Sequence, residues 1–156
     1  MAASIFNISK GRWGEFYYRV KNNDGANSAI IVLALATSGL ESDATLLDTD
    51  SVSAMLSGTT AEVTNTNYAR KTLTDSDLSA FAADDSNDRV QLGLPDQEWN
   101  LVGAGDDWSK IVVAYDPDTT AGNDSSVIPM SLHDFVVSPD GSNITVRFTS
   151  DWARAA

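Results

Sequence analysis

Residues Ala29–Ala36 read Ala-Ile-Ile-Val-Leu-Ala-Leu-Ala, eight apolar positions with no polar interruption. A strand with one wet face alternates apolar and polar side chains, so an unbroken run implies a strand covered on both faces. Alanine would also suit a helix, but β-branched Ile30, Ile31 and Val32 lie between turn signals and favour extension. Asn22, Asn23, Asp24 and Gly25 supply the turn before it. The run is far shorter than the roughly 20 residues that a membrane-crossing helix requires. This segment is therefore expected at the centre of a core.

The remaining chain is punctuated like a β protein. Aspartate occurs 18 times against four glutamates, clustered with Asn, Ser, Thr and Gly as in turns that satisfy their own backbone. Short runs rich in Val, Ile, Tyr, Phe and Thr lie between these clusters. Residues 15–21 place Phe16, Tyr18 and Val20 on one side and Tyr17, Arg19 and Lys21 on the other, which predicts a strand. Further strands are predicted at residues 68–73, 90–94, 98–102, 111–115, 126–130, 133–137 and 143–148. The last two form an expected hairpin around Pro139, Asp140 and Gly141. Short helices are expected at residues 50–56 and 75–81, the second with a partial capping box between Thr74 and Asp77. The fold class is mainly β: an antiparallel β-sandwich or barrel with one or two short helices in connections. The expected domains are an N-terminal arm at residues 1–12, a single β domain at 13–148 and a C-terminal tail at 149–156.

Charge and composition exclude several roles. The 156 residues carry 22 carboxylates and 10 Lys or Arg, a net charge of −12, which disfavours nucleic acid and anionic membrane surfaces as partners. With no cysteine there are no disulfides, thiolate metal sites or cysteine nucleophiles. The opening residues lack the pattern of a secretory signal, so synthesis and retention in a cytoplasm are expected. His133, the one histidine, adjoins Asp134 in a predicted strand where neighbours face opposite ways, so they form no dyad. Ser131 lacks a nucleophile elbow. Gly103 to Asp107 lacks the third glycine and helix of a phosphate cradle, and its acids would repel phosphate. The expectation is no catalytic residue, no cofactor and no enzyme.

Five features leave two readings each. Asp116, Asp118 and Asp124 gather oxygen donors in one loop, either a solvated Asx turn or a weak calcium site, although Ala121 and Val127 occupy positions where an EF-hand needs Gly and Glu. Asp84, Asp85 and Asp88 admit the same pair. Trp99 and Trp108 are either core or sugar-stacking platforms. Lys10, Arg12, Arg19 and Lys21 coincide with Trp13, Tyr17 and Tyr18, either as a contact surface or as the wet side of a strand. Near the other terminus, Trp152 and Arg154 suit a partner interface or pack back onto the chain.

The run Ala69 to Leu78 (Ala-Arg-Lys-Thr-Leu-Thr-Asp-Ser-Asp-Leu), then Trp99, then Ala114 to Thr120 (Ala-Tyr-Asp-Pro-Asp-Thr-Thr) and Val127-Ile128-Pro129-Met130, resembles a family of small tailed-bacteriophage virion proteins. Phe6 to Gly11 is similar to that family's opening stretch, whereas residues 41–50 match nothing diagnostic. The resemblance implies a structural protein of the phage particle, foremost a capsid decoration or cement protein on the outer head surface. Its partners would be the major capsid protein and further copies of the chain, a trimer being one arrangement. The expected interface anchors are Ile5, Phe6, Arg12, Trp13, Tyr17, Trp152 and Arg154. The alternative is a glycan- or host-surface-binding β module, a virion spike or tail accessory, using Trp99, Trp108 and a calcium-braced loop.

Overall fold

The computed structural model describes residues 3–78, 86, 90–148 and 153–155. Its elements, in chain order, are β1 (Ala3–Ile5), a 3-10 turn at Asn7–Ser9, α1 (Trp13–Lys21), β2 (Ala29–Ala36), α2 (Asp43–Leu47), α3 (Val52–Met55), β3 (Lys71–Leu73), α4 (Asp75–Leu78), β4 (Val90–Leu92), β5 (Gln97–Trp99), β6 (Trp108–Asp116), β7 (Ile128–Val137), β8 (Ile144–Val146) and β9 (Ala153–Ala155). The protein is mainly β with antiparallel pairing, its four α-helices are short, and the described strands close no barrel.

Five strands form the central sheet in the order β1-β7-β6-β2-β3, and β4-β9 and β5-β8 form two separate ribbons. All eight residues of β2 are buried, as the apolar run required. Ile30, Val32, Ala34 and Ala36 enter one core with Ile111, Val113 and Tyr115 of β6, while Ala29, Ile31, Leu33 and Leu35 enter a second core with Val112 and Ala114. The first core is covered by Phe16, Tyr17 and Val20 of α1 and by Trp99, Ile144 and Val146 of the β5-β8 ribbon. The second is covered by Phe6, Leu46 of α2, and Val52 and Met55 of α3. The central sheet is thus the middle layer, and its two faces explain why β2 carries no polar residue.

Several expectations are corrected. Residues 15–21 are helical, within α1. Trp13, Phe16, Tyr17 and Val20 recur at i, i+3, i+4 and i+7, which gathers them on one helix face, whereas a strand would have put Tyr17 with Arg19. Phe16 is 1% and Tyr17 is 1% exposed, while Arg19 lies in solvent. The following turn holds Asn23 at φ 53° and Gly25 at φ 103°, left-handed conformations that Asn and Gly tolerate best.

The hairpin expected between residues 133–137 and 143–148 does not form: β8 pairs with β5 through Gln97↔Val146 and Trp99↔Ile144. Strand β7 instead absorbs most of residues 126–130 and all of 133–137 in one ladder with β6. The loop is free to turn away because β6 already occupies one edge of β7 and β1 part of the other. Helix α2, which had no predicted counterpart, starts at Ser42, whose Oγ accepts from the Thr45 amide at 3.3 Å. Helix α3 falls inside the predicted 50–56, and α4 inside 75–81, whose end lies outside the described residues. At α4 the Asp77 carboxylate accepts from both the amide and the hydroxyl of Thr74, the reciprocal half of the expected box.

Residues 3–12 are not a free arm. β1 pairs with β7, Phe6 is 0% exposed, and Ser9 donates its hydroxyl to Pro129 O at 2.7 Å. Nor is all of the tail an appendage, since β9 pairs with β4 and sets Arg154 opposite Gln91. Among the described residues no helix is long and apolar enough to cross a membrane.

Candidate interaction surface

The expected anchors separate into buried and exposed groups. Phe6 lies wholly inside the second core, and Tyr17 is in the first, donating its hydroxyl to Gly93 O at 2.8 Å. Burial pushes the Tyr17 phenol up to about 12. Neither ring can meet a partner without unfolding, so both are corrected from interface to core. Ile5 and Trp13 are half-buried and Arg12 is exposed. Trp152 lies outside the described residues.

The outer side of α1 is organised by charge. Glu15 receives Arg12 Nε at 3.1 Å from one side and Arg19 Nη2 at 2.9 Å from the other, at i,i+3 and i,i+4 spacing. These hydrogen bonds, Arg12 foremost, hold the Glu15 carboxyl below its ordinary range. The Arg12 guanidinium also lies 4.7 Å from the centre of the Phe16 ring, which stacks on Tyr115 at 4.9 Å. All three charged side chains are near half exposed, so the group is a solvent-facing array and not a buried bridge.

The edge strand β1 offers a second exposed feature. Phe6 N donates to Met130 O at 3.1 Å, and the register runs Ile5↔Ser131, Ser4↔Leu132 and Ala3↔His133. Antiparallel ladders alternate bonded and non-bonded pairs, so Ser4 bonds inward while Ala3 and Ile5 point their N–H and C=O groups away from β7. No strand pairs with that outer side among the described residues. The opposite edge, β3, carries Lys71, a common guard against strand addition, whereas β1 carries only Ala, Ser and Ile.

The Asp-rich loop does not gather its carboxylates around a common centre. Asp116 Oδ1 accepts from the Asp118 amide at 3.0 Å, and Asp118 Oδ1 accepts from the amide and hydroxyl of Thr120 at 3.0 and 2.6 Å. These are Asx turns. Asp124 is engaged by Arg70, whose Nη1 and Nη2 reach its two oxygens at 2.6 and 2.8 Å. Arg70 also forks onto Glu62, with Nη2 at 2.6 Å and Nε at 2.9 Å from Oε2. Glu62 further accepts from the Tyr68 hydroxyl at 2.7 Å, and that oxygen accepts from the Ala34 amide of β2 at 2.9 Å. The Arg70 hydrogen bond chiefly holds Asp124 below the usual carboxylate range. Among the described residues no group of His, Asp or Glu is arranged to hold a metal ion. The loop flanks an open cleft of about 280 Å³ that Ile31, Arg70, Thr72 and Asp124 help to line. Asp84, Asp85 and Asp88 lie outside the described residues.

The tryptophans are core. Trp99 is 2% and Trp108 is 0% exposed, packed edge to face at 5.3 Å with Tyr68 beside both. Their indole N–H groups donate to Ala69 O at 2.7 Å and Asn65 Oδ1 at 2.9 Å. No ring face is left for a sugar, which removes the platform of the glycan reading. Ser131 Oγ and His133 Nε2 are 2.8 Å apart on the same face of β7, where the i,i+2 spacing of a strand brings them together and leaves Asp134 on the other face. The two residues are 1% and 4% exposed, and burial foremost drops the His133 imidazole to about 4, so it stays neutral near pH 7. Comparison with family models, with curated proteins and with solved structures finds no match.

Proposed function

We propose that this chain is a structural protein of a tailed-bacteriophage particle, a decoration or cement protein that stabilises the head by bridging capsid subunits. The observation that carries it is the unguarded outer edge of β1, where Ala3 and Ile5 direct backbone groups outward for a strand of a neighbouring subunit to join. Strand addition supplies affinity through main-chain hydrogen bonds and requires no pocket. The likeness of residues 69–78 and 114–120 to phage virion proteins supports the same reading, as does an acidic exterior suited to a DNA-filled shell. Each bound copy would favour the assembled shell over the open one by mass action, so contact is the function and no substrate is turned over.

Deleting residues 1–12 would remove Phe6 and Ser9 from the fold, so the test is a single substitution. Ala3→Pro removes an outward N–H at the first position of an edge strand, where proline is tolerated. Particles assembled without this protein are incubated with wild type or Ala3→Pro and sedimented. Wild type should bind in stoichiometric amounts and Ala3→Pro at least about tenfold more weakly. Failure of wild type to co-sediment with heads would reject the assignment, and equal binding of the two would reject the β1 edge.

A further inference from the structure

The charges of this acidic chain are segregated. The window 10–21 holds four cations and one carboxylate, which leaves six cations and 21 carboxylates to all other residues. The structure sets this basic window at one end of the central sheet. Ser9 is tied to Pro129 O, Phe16 stacks on Tyr115, and Arg12 and Arg19 stand outward about half exposed. At the far end of the same sheet, β6 begins beside the exposed Asp107 and reaches Lys110, whose amine is tucked between Asp43 at 2.8 Å and Asp134 at 2.5 Å. Those two carboxylates keep 53% and 54% exposure and outnumber the lysine that joins them. Next to them Val136 is 83% exposed, more than any other large hydrophobic side chain among the described residues. β1 stops at His133, so Asp134 to Val137 have β6 on one side and no described strand on the other. Lys110 and Tyr115 are five strand positions apart, so roughly 17 Å of sheet separates the two poles.

We propose that copies of this chain associate head to tail, the basic side of α1 (Lys10, Arg12 and Arg19, with Trp13 at its margin) docking on the acidic, Val136-bearing end of β7 in the next copy. The complementary surface is one this chain itself supplies, and an apolar anchor ringed by opposite charge has the form of a weak, specific interface. The poles differ, so the contact is heterologous and generates rings or strings, not an isologous pair. Ionic strength sets when it forms. At about 0.1 M salt the Debye length is about 10 Å, which screens repulsion between two whole molecules of like net charge but leaves pairs in contact attractive. The contact stands on charge and exposure and uses no part of the capsid reading.

The test uses purified full-length protein in sedimentation equilibrium. One variant, Lys10→Gln with Arg12→Gln, neutralises the head, so that it attracts neither tail, and spares the Arg19–Glu15 pair. The other, Asp107→Lys with Val136→Lys, destroys the tail at two exposed positions. Wild type is expected to gain mass with concentration at 0.1 M salt and to bind itself about tenfold more weakly at 1 M. Each variant alone should be monomeric, whereas an equimolar mixture should give one-to-one dimers and nothing larger, because each partner retains one intact pole. A monomeric wild type at about 100 µM, or a mixture that stays monomeric, overturns the proposal. Neither outcome alters the particle-binding comparison of wild type with Ala3→Pro, so the two readings fail separately.

Discussion

Replacing Arg70 by methionine keeps the aliphatic stem and removes a guanidinium that forks onto two carboxylates. The variant leaves Glu62 and Asp124, 20% and 34% exposed, facing one another without their shared cation. Breaking a fully buried ion pair from one side costs about 3–5 kcal/mol and an exposed one about 0–1. Arg70 is 29% exposed and makes bidentate contact at both ends, so an intermediate cost of about 2–3 kcal/mol is expected. In a domain of this size that corresponds to a fall in melting temperature of roughly 5–10 °C. Urea titration followed by fluorescence of the buried Trp99 and Trp108 measures it, with an unchanged slope if only the native state is affected. Arg70→Lys restores charge without the forks and should recover less than half of the loss. The same network predicts a pH limb. Asp124 has a folded pKa below its unfolded value, so its stabilisation is complete above the ordinary aspartate range and is lost as pH falls through the folded value. That limb should flatten in Arg70→Met. A loss below about 0.5 kcal/mol, or a lysine as effective as the arginine, would refute the reasoning.

Burial acts on His133 with the opposite sign to a salt-bridged histidine. Its folded pKa is about 4 against 6.5 for the free side chain, so the unfolded state takes up the proton first as pH falls. Stability should be level above about pH 6.5 and decline by about 3 kcal/mol between there and pH 4, a decline that His133→Gln removes; superimposable profiles for the two proteins would count against it. Calcium at millimolar concentration should move the melting temperature by less than about 1 °C, because Asp124 is committed to Arg70. A rise of several degrees would restore the loop as a cation site.

Chain-local chemistry determined much of this protein. An eight-residue run without polar atoms can satisfy its backbone and hide its side chains only as an inner strand, and β2 is that strand. Asx-rich segments became turns because Asp118, Asn123 and Asp140 each accept from an amide two residues on, an interaction needing no distant partner. Helix α1 was legible too. Its apolar residues fit a period of 3.6 over Trp13 to Val20, but the shorter window from Glu15 fits a period of two as well, and the choice turns on including Trp13.

Other features were settled only by the folded chain. Which strand β8 would join depended on the edges of β7 being taken by β6 and β1, and no local pattern encodes that competition. Aromatic and basic residue types marked Phe6, Tyr17, Arg12 and Trp13 equally as interface candidates; the two sheet faces then drew Phe6 and Tyr17 inward and left Arg12 in solvent. The fate of the Asp-rich loop rested on Arg70, which lies 54 residues before Asp124 and meets it only because Arg70 just precedes β3, the neighbour of β2 in the same sheet. Composition and periodicity set what each segment can be, because hydration and backbone sterics act over a few residues. Pairing, burial of a given ring and the partner of a given charge are decided by contacts between segments far apart in sequence, which exist only once the layers have packed.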